Sequence, residues 1–329
     1  MLCYDYTDKT QDVCNLTDIL IKRAHRFSLS TIKEKIKELK TQRNAVILAH
    51  NYQRGDVQDI ADFTGDSLGL SQQAAKTKAD IIVFCGVHFM AETASILSPD
   101  KMVLLPDEHA GCPMANMITL KELRIKKEAH PDATVVCYVN STAAIKAESD
   151  ICCTSANAMK IVSSIPKDRE ILFIPDKSLG GYISSKLNRP MILWEGYCPT
   201  HHRILAEHIL KLKITNPDAR VVVHPECTPD VIALADHVAS TTGIAKYCKE
   251  TAAKEFIIGT ETGLLHRLKK ENPQKTFYAI TQLADCSNMK LISLEKVLWS
   301  LEDLVYQIKV PDDIAAKARL AIQKMLDLS

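Results

Sequence analysis

Three cysteines, Cys112, Cys198 and Cys286, stand 86 and 88 residues apart, and two further polar series keep the same beat. Apolar runs deliver His50 (AVILAHNY), Tyr138 (TVVCYVNS) and His224 (RVVVHPEC) at steps of 88 and 86. The motifs GDS, CTS and AST deliver Ser67, Ser155 and Thr241 at those same two steps. Three series kept in register describe one unit written three times. Pseudo-threefold symmetry would bring each trio to a shared axis, and a site there would hold three thiols.

Each unit reads as a charged helix followed by strands alternating with helices, the pattern of a small parallel sheet covered on both faces. The expected fold is therefore α/β, with three pseudo-threefold-related αβα units around a central cavity. Their expected bounds are 29–117, 118–202 and 203–290, with 1–28 an N-terminal extension and 291–329 a helical closing segment. Opening helices are expected at 31–44, 119–130 and 203–214, each charged on one side and bearing Leu and Ile on the other. Strands are expected at 81–85, 102–106, 151–154, 171–175, 191–194, 221–224, 237–240, 256–259 and 277–281. FTGD, the first unit's counterpart to ICCT, is a poor strand by composition.

The chain of 329 residues has a formal net charge of +1 with its Lys and Arg scattered, so neither a nucleic-acid nor a membrane footprint is visible. Its apolar runs are too short to span a bilayer, and MLCYDYTDKTQD lacks a signal peptide's basic and apolar regions. A cytoplasmic address is expected. Eleven cysteines, an odd number and too sparse for a disulfide scaffold, fit reduced thiols, some of them ligands.

Polar residues at the C-terminal edges of parallel strands are where ligands sit. His50, Tyr138 and His224 fall there. Ser67, Ser155 and Thr241 precede helical stretches, which places each as an N-cap beside free backbone N–H groups suited to an anion. Cys112, Cys198 and Cys286 lie in turn contexts (HAGCPMA, EGYCPTH, ADCSNMK), whereas Cys3, Cys14, Cys137, Cys152, Cys153, Cys227 and Cys248 read as small buried hydrophobes or spare thiols. Cys85, ending a strand, is intermediate. No CxxC pair is present, which argues against a zinc ribbon or a thioredoxin-like pair. Three thiolates without a fourth equivalent fit a [4Fe–4S] cluster with one iron lacking a protein ligand. Tetrahedral zinc completed by His201 is the rival.

The stretches LAHNYQRGDVQDIADFTGDSLGLS, FCGVHFMAETA, VVCYVNSTAAIKAESD, CTSANA, IPDKSLGGYI, VVHPECTPDV and ASTTG together resemble the quinolinate synthase family, iron–sulfur enzymes of de novo NAD biosynthesis. The likeness runs from about residue 31 to the C-terminus. It implies three αβα units around a cavity whose [4Fe–4S] cluster takes one cysteine per unit, here Cys112, Cys198 and Cys286, which demotes Cys85. It implies condensation of iminoaspartate with dihydroxyacetone phosphate, losing phosphate and two waters, with iminoaspartate received from an aspartate-oxidising enzyme.

By the same resemblance AHNY supplies His50 and Tyr52, GDS supplies Ser67, YVNS supplies Tyr138 and Asn140, and TSAN supplies Ser155. His201 follows the second cysteine by three, HPE supplies His224 and Glu226, and AST supplies Thr241. Glu226 with His224, Tyr52 and Tyr138 are the expected catalytic groups; the others, with Tyr138, His224 and Glu226 again, are expected to bind substrate. Two carboxylates and a phosphate suit a cavity of helix N-termini, hydroxyls and imidazoles. The second-cysteine motif departs from the family's Cys-x-Val-His by reading CPTH. A cluster-dependent hydroxy-acid dehydratase and a non-catalytic iron–sulfur sensor are the competing functions; the first needs no phosphate site and the second no acid–base groups.

Overall fold

The computed structural model describes residues 28–329; the expected extension, with Cys3 and Cys14, falls outside the described residues save for Ser28. In the first unit the elements run α1 (Leu29–Gln42), β1 (Ala45–His50), α2 (Gly55–Ile60), β2 (Phe63–Gly65), α3 (Ser67–Lys76), β3 (Ile81–Cys85), α4 (His88–Leu97) and β4 (Met102–Leu104). The second repeats the plan with α5 (Leu120–Ala129), β5 (Thr134–Tyr138), α6 (Ala143–Ala147), β6 (Ile151–Cys153), α7 (Ala158–Ser164), β7 (Ile171–Ile174), α8 (Lys177–Leu187) and β8 (Ile192–Leu193). A short helix α9 (Pro199–His202) ends the second unit, and the third runs α10 (Ala206–Thr215), β9 (Arg220–Val223), α11 (Pro229–Ala233), β10 (His237–Val238), α12 (Thr241–Glu250), β11 (Glu255–Gly259), α13 (Leu264–Glu271) and β12 (Thr276–Ala279). Helices α14 (Leu294–Asp303) and α15 (Asp312–Asp327) close the chain.

All three sheets are parallel and share one strand order, β2-β1-β3-β4, β6-β5-β7-β8 and β10-β9-β11-β12. The three-unit α/β architecture is as expected. Sheets covered on both faces favour near-continuous apolar strands, and β3 and β7 are buried along their whole length. FTG forms a strand after all. Its pairing of Phe63 with Leu48 and Thr64 with Ala49 supplies the order that its own propensity lacks. The opening helix of the third unit, expected over 203–214, begins instead at Ala206 and runs to Thr215.

A fourth series binds each unit internally. Asp62, Asp150 and Asp236, again 88 and 86 apart, accept the backbone N–H of Ile47, Val135 and Val221 at 2.8, 2.7 and 2.8 Å. Each carboxylate thereby ties the approach to the second strand onto the first strand, holding both C-terminal edges in the same relation in every unit.

Helix α14 packs on α1, while α15 packs on α6 and β6. Between them Tyr306 exchanges backbone bonds with Leu105, and the Ile308 N–H donates to the Val103 carbonyl. The closing segment therefore staples the first unit to the second. Among the described residues no helix is long and apolar enough to cross a membrane.

Candidate active site

All thirteen site residues expected from the sequence line one cavity. His50, Tyr138 and His224 reach it from the C-terminal ends of β1, β5 and β9, while Ser67 and Thr241 begin α3 and α12 and Ser155 lies in the turn before α7. None of these three hydroxyl residues is an N-cap, contrary to expectation. The caps of α3 and α12 are the preceding residues Asp66 and Ser240, which accept from Gly69 and Gly243 at 3.0 and 3.2 Å. A cap must lie in extended backbone to reach the third helical N–H. Ser67 and Thr241 are thereby first helical residues, with hydroxyls not consumed by capping. In the second unit α7 begins only at Ala158, and Asn157 ties back to the Thr154 N–H at 2.7 Å.

Two imidazoles are held in the same tautomer. The backbone N–H of Tyr52 donates to His50 Nδ1 at 3.2 Å, and that of Glu226 to His224 Nδ1 at 3.3 Å. With Nδ1 an acceptor, the proton of each neutral ring sits on Nε2, and His224 Nε2 meets Ser155 Oγ at 3.1 Å. Burial keeps both rings neutral. It lowers His50 to about 4 and His224 to about 3, despite the opposing pull of nearby carboxylates.

Glu226 is the charged centre. Its Oε2 lies 2.7 Å from His201 Nδ1 and its Oε1 3.4 Å from Asn140 Nδ2, and the Tyr138 hydroxyl bonds to it as well. Burial opposes ionisation here, but His201 beside it and the Tyr138 hydroxyl hold the carboxyl below its ordinary range. On its other side His201 Nε2 meets Thr260 Oγ1 at 2.9 Å and Tyr52 Oη at 3.3 Å, with Tyr52 and Thr260 themselves 2.6 Å apart. A continuous hydrogen-bonded path thus joins Glu226, His201, Thr260 and Tyr52. Tyr52 and Tyr138 stay protonated, since burial and then the Glu226 charge push both well above the usual phenol value.

Nine cysteines are described and none is in a disulfide. Cys112, Cys198 and Cys286 are the partly exposed ones and the ones that line the cavity; the other six are buried. Cys198 Sγ also lies 3.1 Å from His201 Nδ1, so Cys198, His201 and Glu226 form a group with the spacing of metal ligands.

Sequence reading missed Thr260 and Glu261. Glu261 is fully buried, pairs with Lys290 at 2.9 Å and accepts the Cys286 N–H at 3.1 Å. The repeat could not reveal either residue. At its steps their counterparts are Gly86 and Val87 in the first unit and Ile174 and Pro175 in the second, which carry no polar side chain. Asn51, the unremarked residue of AHNY, was within reach.

Residues 34–327 match the family model described as quinolinate synthetase A protein. The quinolinate synthase of Methanosarcina barkeri is 57% identical over 293 residues, 89% of this chain and 96% of that protein. That of Geobacter metallireducens is 56% identical over 296 residues, covering 90% and 97%. With three matching parallel sheets and a single shared cavity beneath that similarity, the chain belongs to the quinolinate synthetase A family.

Proposed function

We propose that the chain makes quinolinate for de novo NAD biosynthesis, condensing iminoaspartate with dihydroxyacetone phosphate in a transferase reaction that loses phosphate and two waters. The observation that carries this reading is the meeting, in one cavity, of the three partly exposed thiols with an ionised carboxylate set between imidazoles. Three soft donors with no fourth cysteine among the lining residues suit a [4Fe–4S] cluster on Cys112, Cys198 and Cys286. When bound, such a group supplies an iron without a protein ligand, a Lewis acid toward a substrate oxygen. Zinc completed by His201 fits less well, because Glu226 engages one ring nitrogen and Thr260 and Tyr52 the other.

The protein groups divide by protonation. Glu226 is the base, able to take a proton from carbon next to an imine or carbonyl and pass it through His201. Tyr52 and Tyr138, held protonated, act as donors to a departing or developing oxygen. His50, His224, Asn140, Ser67, Ser155 and Thr241 present N–H and O–H groups suited to carboxylate and phosphate oxygens. Iminoaspartate is prone to hydrolysis in water, so an aspartate-oxidising enzyme in the same compartment, the cytoplasm, is its source in this reading. The unit boundaries near residues 117, 202 and 290 follow from the same repeat.

Turnover by anaerobically purified protein, with and without dihydroxyacetone phosphate, tests the proposal. Quinolinate formed only when both substrates are present supports it. Dehydration of a hydroxy acid without the phosphate ester would favour the competing enzyme, and binding of a cluster without turnover of either kind would favour a sensor.

A further inference from the structure

Thr241 faces the cavity from the start of α12, and hydrogen bonds running to the outer surface hold its hydroxyl from behind. Arg267 on α13 donates from Nη1 to Asn51 Oδ1 at 2.9 Å, and Asn51 donates from Nδ2 to Thr241 Oγ1 at 2.7 Å. A guanidinium has five donors and no acceptor, so the direction of these bonds is fixed. Arg267 can face only the oxygen of the Asn51 amide. That turns the amide NH₂ toward Thr241, whose oxygen must accept, and the threonine proton is left for the cavity.

Each link is immobilised. Asn51 is wholly buried and Thr241 nearly so, at 0% and 2% exposure. The Asn51 backbone donates to Gly65 O at 3.0 Å and accepts from Gln58 Nε2 at 3.2 Å. Arg267 is aimed by Glu271, at 2.7 Å from its Nε, and by the Thr64 carbonyl at 3.4 Å from its Nη1. Ser155 is oriented to the same end by different means, since it lies 3.1 Å from the protonated Nε2 of His224.

We propose that Arg267 and Asn51 are positioning residues that make Thr241 an obligate proton donor to an anionic oxygen of the substrate, a carboxylate or a phosphate. The inference rests on reading the cavity as the substrate site. It assigns the specificity to charge, because a fixed donor rewards an oxygen that can only accept.

Asn51→Asp tests the direction of the bonds. The new carboxylate keeps the side-chain shape and the Arg267 contact but can only accept, so Thr241 must turn its proton away from the cavity. Calorimetric dissociation constants for inorganic phosphate and for succinate, measured on the anaerobic, cluster-loaded protein, separate the two oxygen sources. Asn51→Asp should weaken one of these anions by about 10- to 100-fold, the worth of a hydrogen bond to a charged group, and raise KM for the corresponding substrate more than it lowers kcat. Thr241→Val should weaken the same anion, and Thr241→Ser should retain it. The added negative charge is controlled by combining Asn51→Asp with Thr241→Val. The proposal expects no further loss in that double variant, and an undiminished loss, or none in the single variant, overturns it. Should Asn51→Asp not fold, the partly exposed Arg267→Leu serves in the same cycle, with a smaller loss that vanishes beside Thr241→Val; a loss that persists there is contrary. Absence of quinolinate synthesis by the wild type would defeat the functional reading and leave this anion-binding cycle readable.

Discussion

The first two units and the third are built to one plan but are joined to the molecule differently. Buried apolar residues from the first unit, the second unit and helices α14 and α15 merge into a single core. Those of the third unit, as far as Ala284, fall into two clusters of its own, and only Met289 at its end joins the shared core. Its named links to its neighbours are polar: Thr241 to Asn51, Ser240 to Asp66, Thr260 to Tyr52, His224 to Ser155 and Glu226 to Asn140. Apolar burial is non-directional and scales with area, whereas hydrogen bonds demand a particular geometry. The third unit is therefore held in register by many of the groups that face the cavity, so the seam and the site are largely one set of residues.

If that is right, the difference between regions should disappear at the cysteines. Cys286→Ser should abolish the iron–sulfur absorption and turnover as completely as Cys112→Ser or Cys198→Ser, while Cys153→Ser, on buried β6, should leave both nearly intact; visible spectra of anaerobic protein decide this. Next in size, Glu226→Gln should retain the chromophore while turnover falls by about 10²–10⁴-fold, as positioned acid–base groups do. Unchanged turnover would confine Glu226 to the seam.

Core truncations probe the two regions by stability. Leu301→Ala in the shared core and Leu268→Ala in the third unit should each cost about 2–5 kcal/mol, both side chains being fully buried. Hydrogen exchange should differ: Leu268→Ala is expected to loosen the third unit alone, and Leu301→Ala the first two together. Equal spreading of both effects would mean one cooperative body. Gly263→Ala acts at the seam itself, where an added Cβ would lie 2.7 Å from the Tyr52 carbonyl oxygen and 2.8 Å from that of Gln53. Overpacking of about 1–3 kcal/mol should appear in denaturant melts, together with reduced turnover. The smallest effect belongs to the seam's outer edge, where Asp59 meets Lys270 at 2.6 Å and His266 at 3.0 Å. These groups are partly solvated, so Lys270→Ala should change stability by about 1 kcal/mol or less.

The repeat made the architecture and nine of the thirteen cavity residues legible, because three units of one plan put equivalent positions at equivalent strand ends; Tyr52, Asn140, His201 and Glu226 came from the family resemblance instead. It could not show that His201 is committed on both ring nitrogens, since those partners come from elements far apart in sequence. Nor could it separate Ser67 from Asp66 as the cap; both can cap, and the choice depends on which one stays extended. The weak β2 was illegible for a related reason, as its order comes from the β1 partner. Asp62, Asp150 and Asp236 were visible in principle at the same steps, and their backbone role explains why the sheet edges keep their relation.

The central claim is that one thiol from each unit holds a cluster with an iron open to substrate. Mössbauer spectroscopy of the anaerobically reconstituted protein, before and after quinolinate is added, addresses it most directly. The account predicts a minority iron site whose signal moves on addition while the rest stay put, and loss of the whole cluster signal in Cys286→Ser. A cluster whose iron sites all remain unchanged by quinolinate, or a protein that retains zinc in place of iron, would contradict it.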